Sequence, residues 1–223
     1  MSVPDHGRLR EEMVRRYVRQ GHLVSTKLAE SMRRVPRELF VEAKFAHLAY
    51  SDRPIPIPHS TGDWTPQASQ YPLFYEPLDI RQGDVLLEVG TGSGYGAALA
   101  REMVGPGGRV VTMEVDGEAY RFTRRCLAEA GYTDVVVVNE DGYNGFPELA
   151  PFDKICVTVA CENISGDLLQ QLERPGRLIA PIGSSTGIRG QGLTLFKKDE
   201  DGEVTKETLG TVICSPLLGH ERG

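Results

Sequence analysis

The chain has few cysteines, no excess of positive charge and no long apolar run. It has four cysteines, Cys126, Cys156, Cys161 and Cys214. None forms a C-x-x-C pair and none has a histidine close by, so no metal site is expected. Buried, reduced thiols are the default in such a pattern. No run approaches the roughly 18 uninterrupted apolar residues of a membrane span. The N-terminus, MSVPDHGRLREEMVRR, has no apolar core, so it does not read as a secretory signal. An excess of positive charge is also missing: the formal net charge is −6. That argues against a nucleic-acid partner held mainly through phosphates. The expectation is a cytoplasmic protein with no membrane partner. Its 40% hydrophobic and 25% charged residues fit an ordinary globular fold.

What is present is organised around Leu86 to Ala100, LLEVGTGSGYGAALA. Val85 to Val89 reads as a buried parallel strand. Gly90, Gly92 and Gly94 follow at alternate positions, and the alanine-rich run from Ala97 to Ala100 favours helix. Such a turn lets a ligand approach the backbone. Dinucleotide sites prefer G-x-G-x-x-G, with the pyrophosphate at the helix N-terminus. Here the spacing is G-x-G-x-G, with Glu88 two residues before the first glycine. This arrangement resembles motif I of the class I S-adenosylmethionine-dependent methyltransferases. That cofactor carries an ammonium and a sulfonium rather than a diphosphate, so a nearby carboxylate is tolerable. A strand–helix turn with no ligand is the plainer alternative.

The rest of the chain frames this stretch. Residues 8 to 50 read as helices, with Gly21 a stop and Ser25 a cap. The arginines of this part read as a solvated face. Residues 49 to 72 hold five prolines and Trp64, the only tryptophan. Proline at 54, 56 and 58 favours an extended path. A long irregular loop before the glycine strand suggests function. From Asp84 strands and helices alternate, which predicts a parallel sheet. Expected strands are 85–89, 109–115, 134–138, 152–159 and 177–181. An antiparallel hairpin, 193–197 with 203–214, closes the chain. The reading is α/β: a Rossmann-like, mostly parallel central sheet with a C-terminal antiparallel hairpin and an N-terminal helical extension. It is a single domain over 1–223: helical extension 1–50, substrate loop and lead-in 51–80, cofactor-binding core 81–223.

Ligands in open α/β sheets sit at the carboxyl ends of the strands. Glu88, Glu114 and Asp141 fall there in succession. Glu114 suits two ribose hydroxyls, because a carboxylate accepts at two oxygens. Asp141 suits an adenine amino group, with Gly142 leaving room for the ring. Each acid alone is more often a solvated surface residue; three in succession point to an adenosyl ligand.

Five segments, VPRELFV (35–41), AYSDRPIPI (49–57), LLEVGTGSGYGAA (86–98), EDGYNGFPELAPFDKICVTVA (140–160) and LLQQLERPGRLIAPIG (168–183), together resemble the protein-L-isoaspartate O-methyltransferases. The resemblance runs from about residue 35 to residue 218. It implies S-adenosylmethionine held by Glu88, Gly90, Gly92, Gly94, Glu114, Asp141 and Gly142. It implies methyl transfer to the α-carboxylate of L-isoaspartyl residues in damaged proteins and peptides, giving an ester that cyclises to a succinimide. The family's Thr-Ile-Ser motif corresponds best to Gln67-Ala68-Ser69. Ser69 then takes the place of the serine that contacts the accepting carboxylate, with Thr65 the second candidate. His59 and Trp64 in the atypical insert, and Gln191 after the fifth strand, are candidate substrate contacts. Three other readings compete. They are a carboxyl methyltransferase for a dedicated peptide, a nicotinamide-dependent oxidoreductase, and a non-catalytic cofactor-binding module.

Overall fold

The computed structural model describes residues 5–58, 64–184 and 190–217. Two helices open the chain, α1 (His6–Arg19) and α2 (Thr26–Arg34). Asp5 caps the first by accepting from the Arg8 N–H at 3.0 Å. Ser25 caps the second, as expected, accepting from the Leu28 N–H at 3.2 Å. Gly21 follows α1 with φ +71°, a backbone position that suits the expected glycine stop. Two 3-10 turns, Arg37–Phe40 and Ala43–Leu48, lead to a small antiparallel pair. That pair joins β1 (Ile55–Pro56) to β2 (Trp64–Thr65). Then come α3 (Gln70–Leu78), β3 (Val85–Val89), α4 (Tyr95–Val104), β4 (Arg109–Met113) and α5 (Gly117–Glu129). They are followed by β5 (Val136–Val138), β6 (Phe152–Val157), α6 (Gly166–Gln170), β7 (Leu172–Ile182), β8 (Gln191–Lys198) and β9 (Val204–Val212).

Seven strands form one sheet in the order β5-β4-β3-β6-β7-β8-β9. The first five run parallel, and β8 pairs antiparallel with both β7 and β9. The chain leaves β3 toward β4 and β5, then returns to β6 on the other side. The switch point, where such sheets open a crevice, therefore lies between β3 and β6.

Alternation along β3 divides the core. Leu86 packs with α1, α2 and α4 through Met13, Leu28 and Leu99. Leu87 and Val89 face the other side, with Val111, Ile155 and Leu168. Burying each such side chain is worth roughly 1.5–3 kcal/mol. The N-terminal helices thus share a core with the sheet.

Two expectations need correction. The fifth strand, expected over 177–181, is longer: β7 starts at Leu172 and takes in Arg174-Pro175-Gly176. The ladder absorbs it as a register shift, with Phe152 opposite Leu172 but Lys154 opposite Arg177. The last strand ends at Val212 rather than Cys214. Residues beyond it return to β6: Leu217 N–H donates to Ala160 C=O at 2.8 Å, and Ala160 N–H to Ser215 C=O at 2.7 Å.

Candidate active site

A cavity of about 510 Å³ opens at this switch point, within the size range of small-molecule sites. Its walls come from α3, the turn after β3, the ends of β4 and β6, and residues 213–217.

Glu88 is the penultimate residue of β3 and is 1% exposed. Its carboxylate accepts from the Tyr75 hydroxyl at 2.8 Å, Thr112 at 2.7 Å and Thr91 at 3.3 Å. Burial pushes its pKa up to about 7, against the pull of those three donors. Gly90 follows with φ +89°. A Cβ there would stand 2.7 Å from Thr158 Oγ1 and 2.8 Å from Val159 Cγ1, so only glycine fits where β3 and β6 diverge. Gly92 also lines the cavity. Glu114, at the end of β4, accepts from the Gly92 N–H at 3.0 Å and from the Asp116 N–H at 3.1 Å. Gly142 is packed so closely that a Cβ would meet Val89 Cγ1 at 2.6 Å.

This geometry separates the candidate ligands. A diphosphate would need free N–H groups in the glycine turn that leads into α4. The Gly92 N–H is instead taken by Glu114. Three acids, Glu88, Glu114 and Glu140, lie on the wall. Such a wall suits a cationic ligand and repels a phosphate, which counts against the dinucleotide reading. Gly90 and Gly142 pack their backbone directly against Thr158, Val159 and Val89 on the wall.

Of the sequence candidates, Glu88, Gly90, Gly92, Glu114, Gly142 and Trp64 come together on the cavity wall. Others stand off it. Asp141 is exposed and its Oδ1 accepts the Tyr143 N–H at 2.9 Å; its neighbour Glu140 lines the wall instead. Gly94 sits behind the turn, where a Cβ would press on Thr123 Cγ2 at 3.0 Å of α5. Gln191 is 2% exposed and works as a brace: Nε2 donates to Ser184 C=O, and Oε1 accepts the Cys214 N–H. It supports the wall without lining it. Thr65 is 1% exposed and paired with Ile55 in the small hairpin, so its hydroxyl is not presented to the cavity. Ser69, half-buried, precedes α3 between two wall residues, Gln67 and Gln70, and is not itself on the wall. His59 lies outside the described residues.

Sequence reasoning missed three contributions. Tyr71, Phe74 and Tyr75 of α3 line the cavity; their spacing reads as a core face. Ile213 to Leu217 supply another wall, which no local pattern announces. The third is Arg37, which reads as solvated with its neighbours. It is 0% exposed, with its guanidinium over the Tyr95 ring at 5.7 Å. Among the described residues no cluster of side chains could hold a metal, and the four cysteines are free.

Comparison with known proteins decides the family. The family model for protein-L-isoaspartate(D-aspartate) O-methyltransferase matches residues 8–222. The chain belongs to the protein-L-isoaspartate O-methyltransferase family. It is 40% identical to protein-L-isoaspartate O-methyltransferase 2 of Archaeoglobus fulgidus, over 96% of this chain and 95% of that protein. It is 39% identical to the Hyperthermus butylicus protein-L-isoaspartate O-methyltransferase, over 94% and 88%. A solved protein-L-isoaspartate O-methyltransferase superposes with TM-score 0.79 at 30% identity, covering 94% of this chain and 67% of that one. A putative Plasmodium falciparum protein-L-isoaspartate O-methyltransferase, solved with S-adenosyl-L-homocysteine, shares the fold at TM-score 0.80 and 19% identity. That match covers 93% of this chain and 97% of its own. Membership makes this chain an S-adenosylmethionine-dependent methyltransferase of isoaspartyl proteins.

Proposed function

We propose that the switch-point cavity is where this enzyme methylates the α-carboxylate of L-isoaspartyl residues in damaged proteins and peptides. The observation that carries the reading is the acidic wall with its closely packed glycines, Gly90 and Gly142, in a member of this family. S-adenosylmethionine supplies an electrophilic methyl group on a positively charged sulfur. Glu88, Gly90, Gly92, Glu114 and Gly142 would hold it. The Glu114 carboxylate, joined by Glu88 when it is ionised, offsets its charge. Asp141 and Gly94 act from behind, one shaping the turn after β5 and the other seating α4.

The chain needs no general base, since a carboxylate is already ionised at neutral pH. Its contribution is in-line positioning, which can supply roughly 7–11 kcal/mol of a barrier. Ser69 is the residue proposed to orient the accepting carboxylate, because a hydroxyl donates without adding charge. Trp64, half-exposed at the cavity mouth, offers the peptide an apolar face. The methyl ester then cyclises to a succinimide, the first step of repair. We place the enzyme in the cytoplasm. Its free thiols suit a reducing compartment, with burial raising Cys126 and Cys214 to about 12 and Cys161 to about 11. No helix among the described residues is long and apolar enough to cross a membrane.

The test is Ser69→Ala, assayed with an isoaspartyl peptide beside S-adenosylhomocysteine binding. A kcat/KM drop with unchanged binding supports the role. An unchanged kcat/KM removes Ser69 from it.

A further inference from the structure

Arg37 in VPRELFV and Asp52 in AYSDRPIPI have no part in cofactor binding or methyl transfer as described so far. Both reach the same short turn, residues 66–69, between β2 and α3. Arg37 is buried, and its guanidinium donates to the Pro66 C=O at 2.6 Å and to the Ala49 C=O. No acid is paired with it in these bonds; two backbone carbonyls and the Tyr95 ring receive its charge. A buried cation is costly to place, so its fixed fork is spent on holding backbone. At the other end of the turn, Asp52 Oδ1 accepts the Ser69 N–H at 3.1 Å. The same oxygen accepts the Tyr17 hydroxyl at 2.8 Å, which ties it to α1. Burial pushes the Asp52 carboxyl up, but hydrogen bonds from Tyr17 and Ser69 outweigh it and hold the group below the usual carboxylate range.

We propose that Arg37 and Asp52 are positioning residues that clamp the acceptor turn at Pro66 and Ser69, so that the N-terminal extension, through Arg37 and through Tyr17 on Asp52, sets where the peptide carboxylate is received. The proposal rests on the isoaspartyl methyltransferase reading for its catalytic consequence, while the clamp itself is a property of the fold. Both anchors lie on the chain before the turn, and neither lines the cavity. Arg37 acts through the backbone it holds, and Asp52 through the Ser69 N–H and the Ser69 hydroxyl. A displacement of the turn by about an ångström is enough to cost on the order of a hundredfold in rate.

Asp52 is the better handle. Its side chain is exposed, whereas loss of the buried Arg37 would leave the Pro66 and Ala49 carbonyls without their donor inside the protein. Asp52→Ala should lower kcat/KM for an isoaspartyl peptide by about tenfold or more. S-adenosylhomocysteine affinity should stay within about twofold, since the glycine turn is untouched. Amide exchange over residues 66–71, followed by mass spectrometry, should become faster. Asp52→Asn should restore all three, because its amide oxygen can accept from both Tyr17 and Ser69. Tyr17→Phe should act in the same direction as Asp52→Ala and add little to it, as residues of one network do.

Unchanged activity and exchange in Asp52→Ala overturn the clamp. So does a parallel loss of cofactor affinity and melting temperature, which marks ordinary destabilisation. If the wild-type protein methylates no isoaspartyl peptide, the functional reading fails, and the exchange measurement still decides whether Asp52 holds the turn.

Discussion

Tyr75 and Glu88 meet in the protein interior, the tyrosine hydroxyl donating to Glu88 Oε1 over 2.8 Å with both side chains buried. Burial raises the Glu88 pKa to about 7. The unfolded chain would titrate it near 4.3. With the folded pKa the higher one, the stabilisation from protonated Glu88 is complete below about pH 4 and is lost as pH rises through 7. Glu88→Gln stays neutral throughout. Denaturant titrations of the cofactor-free protein at pH 5 and pH 8 should therefore show wild type losing more stability than Glu88→Gln. The difference should be on the order of 1–3 kcal/mol, at about 1.4 kcal/mol per pKa unit. Equal losses would mean that Glu88 titrates as an ordinary acid.

Tyr75→Phe removes a donor that favours the ionised carboxylate. Carbon-detected NMR of the glutamate carboxyl groups should then find Glu88 titrating at higher pH than in wild type. A lower titration point would contradict the arrangement.

Gly142→Ala places a methyl group 2.6 Å from Val89 Cγ1 on the cavity wall. Overpacking of this kind costs about 1–3 kcal/mol. Shifting the wall to relieve this clash should lower S-adenosylhomocysteine affinity in isothermal titration by about tenfold, or about 1.4 kcal/mol. Gly107→Ala is the control, with nothing within 4 Å of its added carbon. Equal affinities in the two variants would remove Gly142 from the cofactor pocket.

The parts legible in the sequence are those with short-range physical signatures. The strand that carries Glu88, the glycine turn and the cap at Ser25 all follow from residue type and spacing. The order of acids after β3 and β4 follows from the parallel sheet. The parts that are not legible depend on long-range return of the chain. Residues 213–217 reach the cavity only because Leu217 and Ser215 bond to Ala160. Arg37 reads as one more surface arginine until Pro66 and Ala49 are folded around it. Asp141 and Glu140 are adjacent, and which of them faces the cavity is set by the turn that Asp141 makes with Tyr143. Gln191 does stand near the wall, but its amide is spent on Ser184 and Cys214.

Trp64 is the only tryptophan and is 52% exposed while lining the cavity. Its fluorescence therefore reports on the mouth alone. Adding an isoaspartyl peptide should shift its emission to shorter wavelength as the indole loses water. Trp64→Ala should raise KM several-fold with little change in kcat, the pattern of uniform binding lost. No spectral change at saturating peptide would place Trp64 outside the binding surface.

The central claim is that this cavity methylates isoaspartyl carboxylates. The most direct test is methyl transfer from labelled S-adenosylmethionine to two synthetic peptides that differ only in an aspartyl or isoaspartyl linkage. Strong labelling of the isoaspartyl peptide is expected, with background labelling of its aspartyl twin. Equal labelling of both, or labelling of neither while S-adenosylhomocysteine still binds, would contradict the claim.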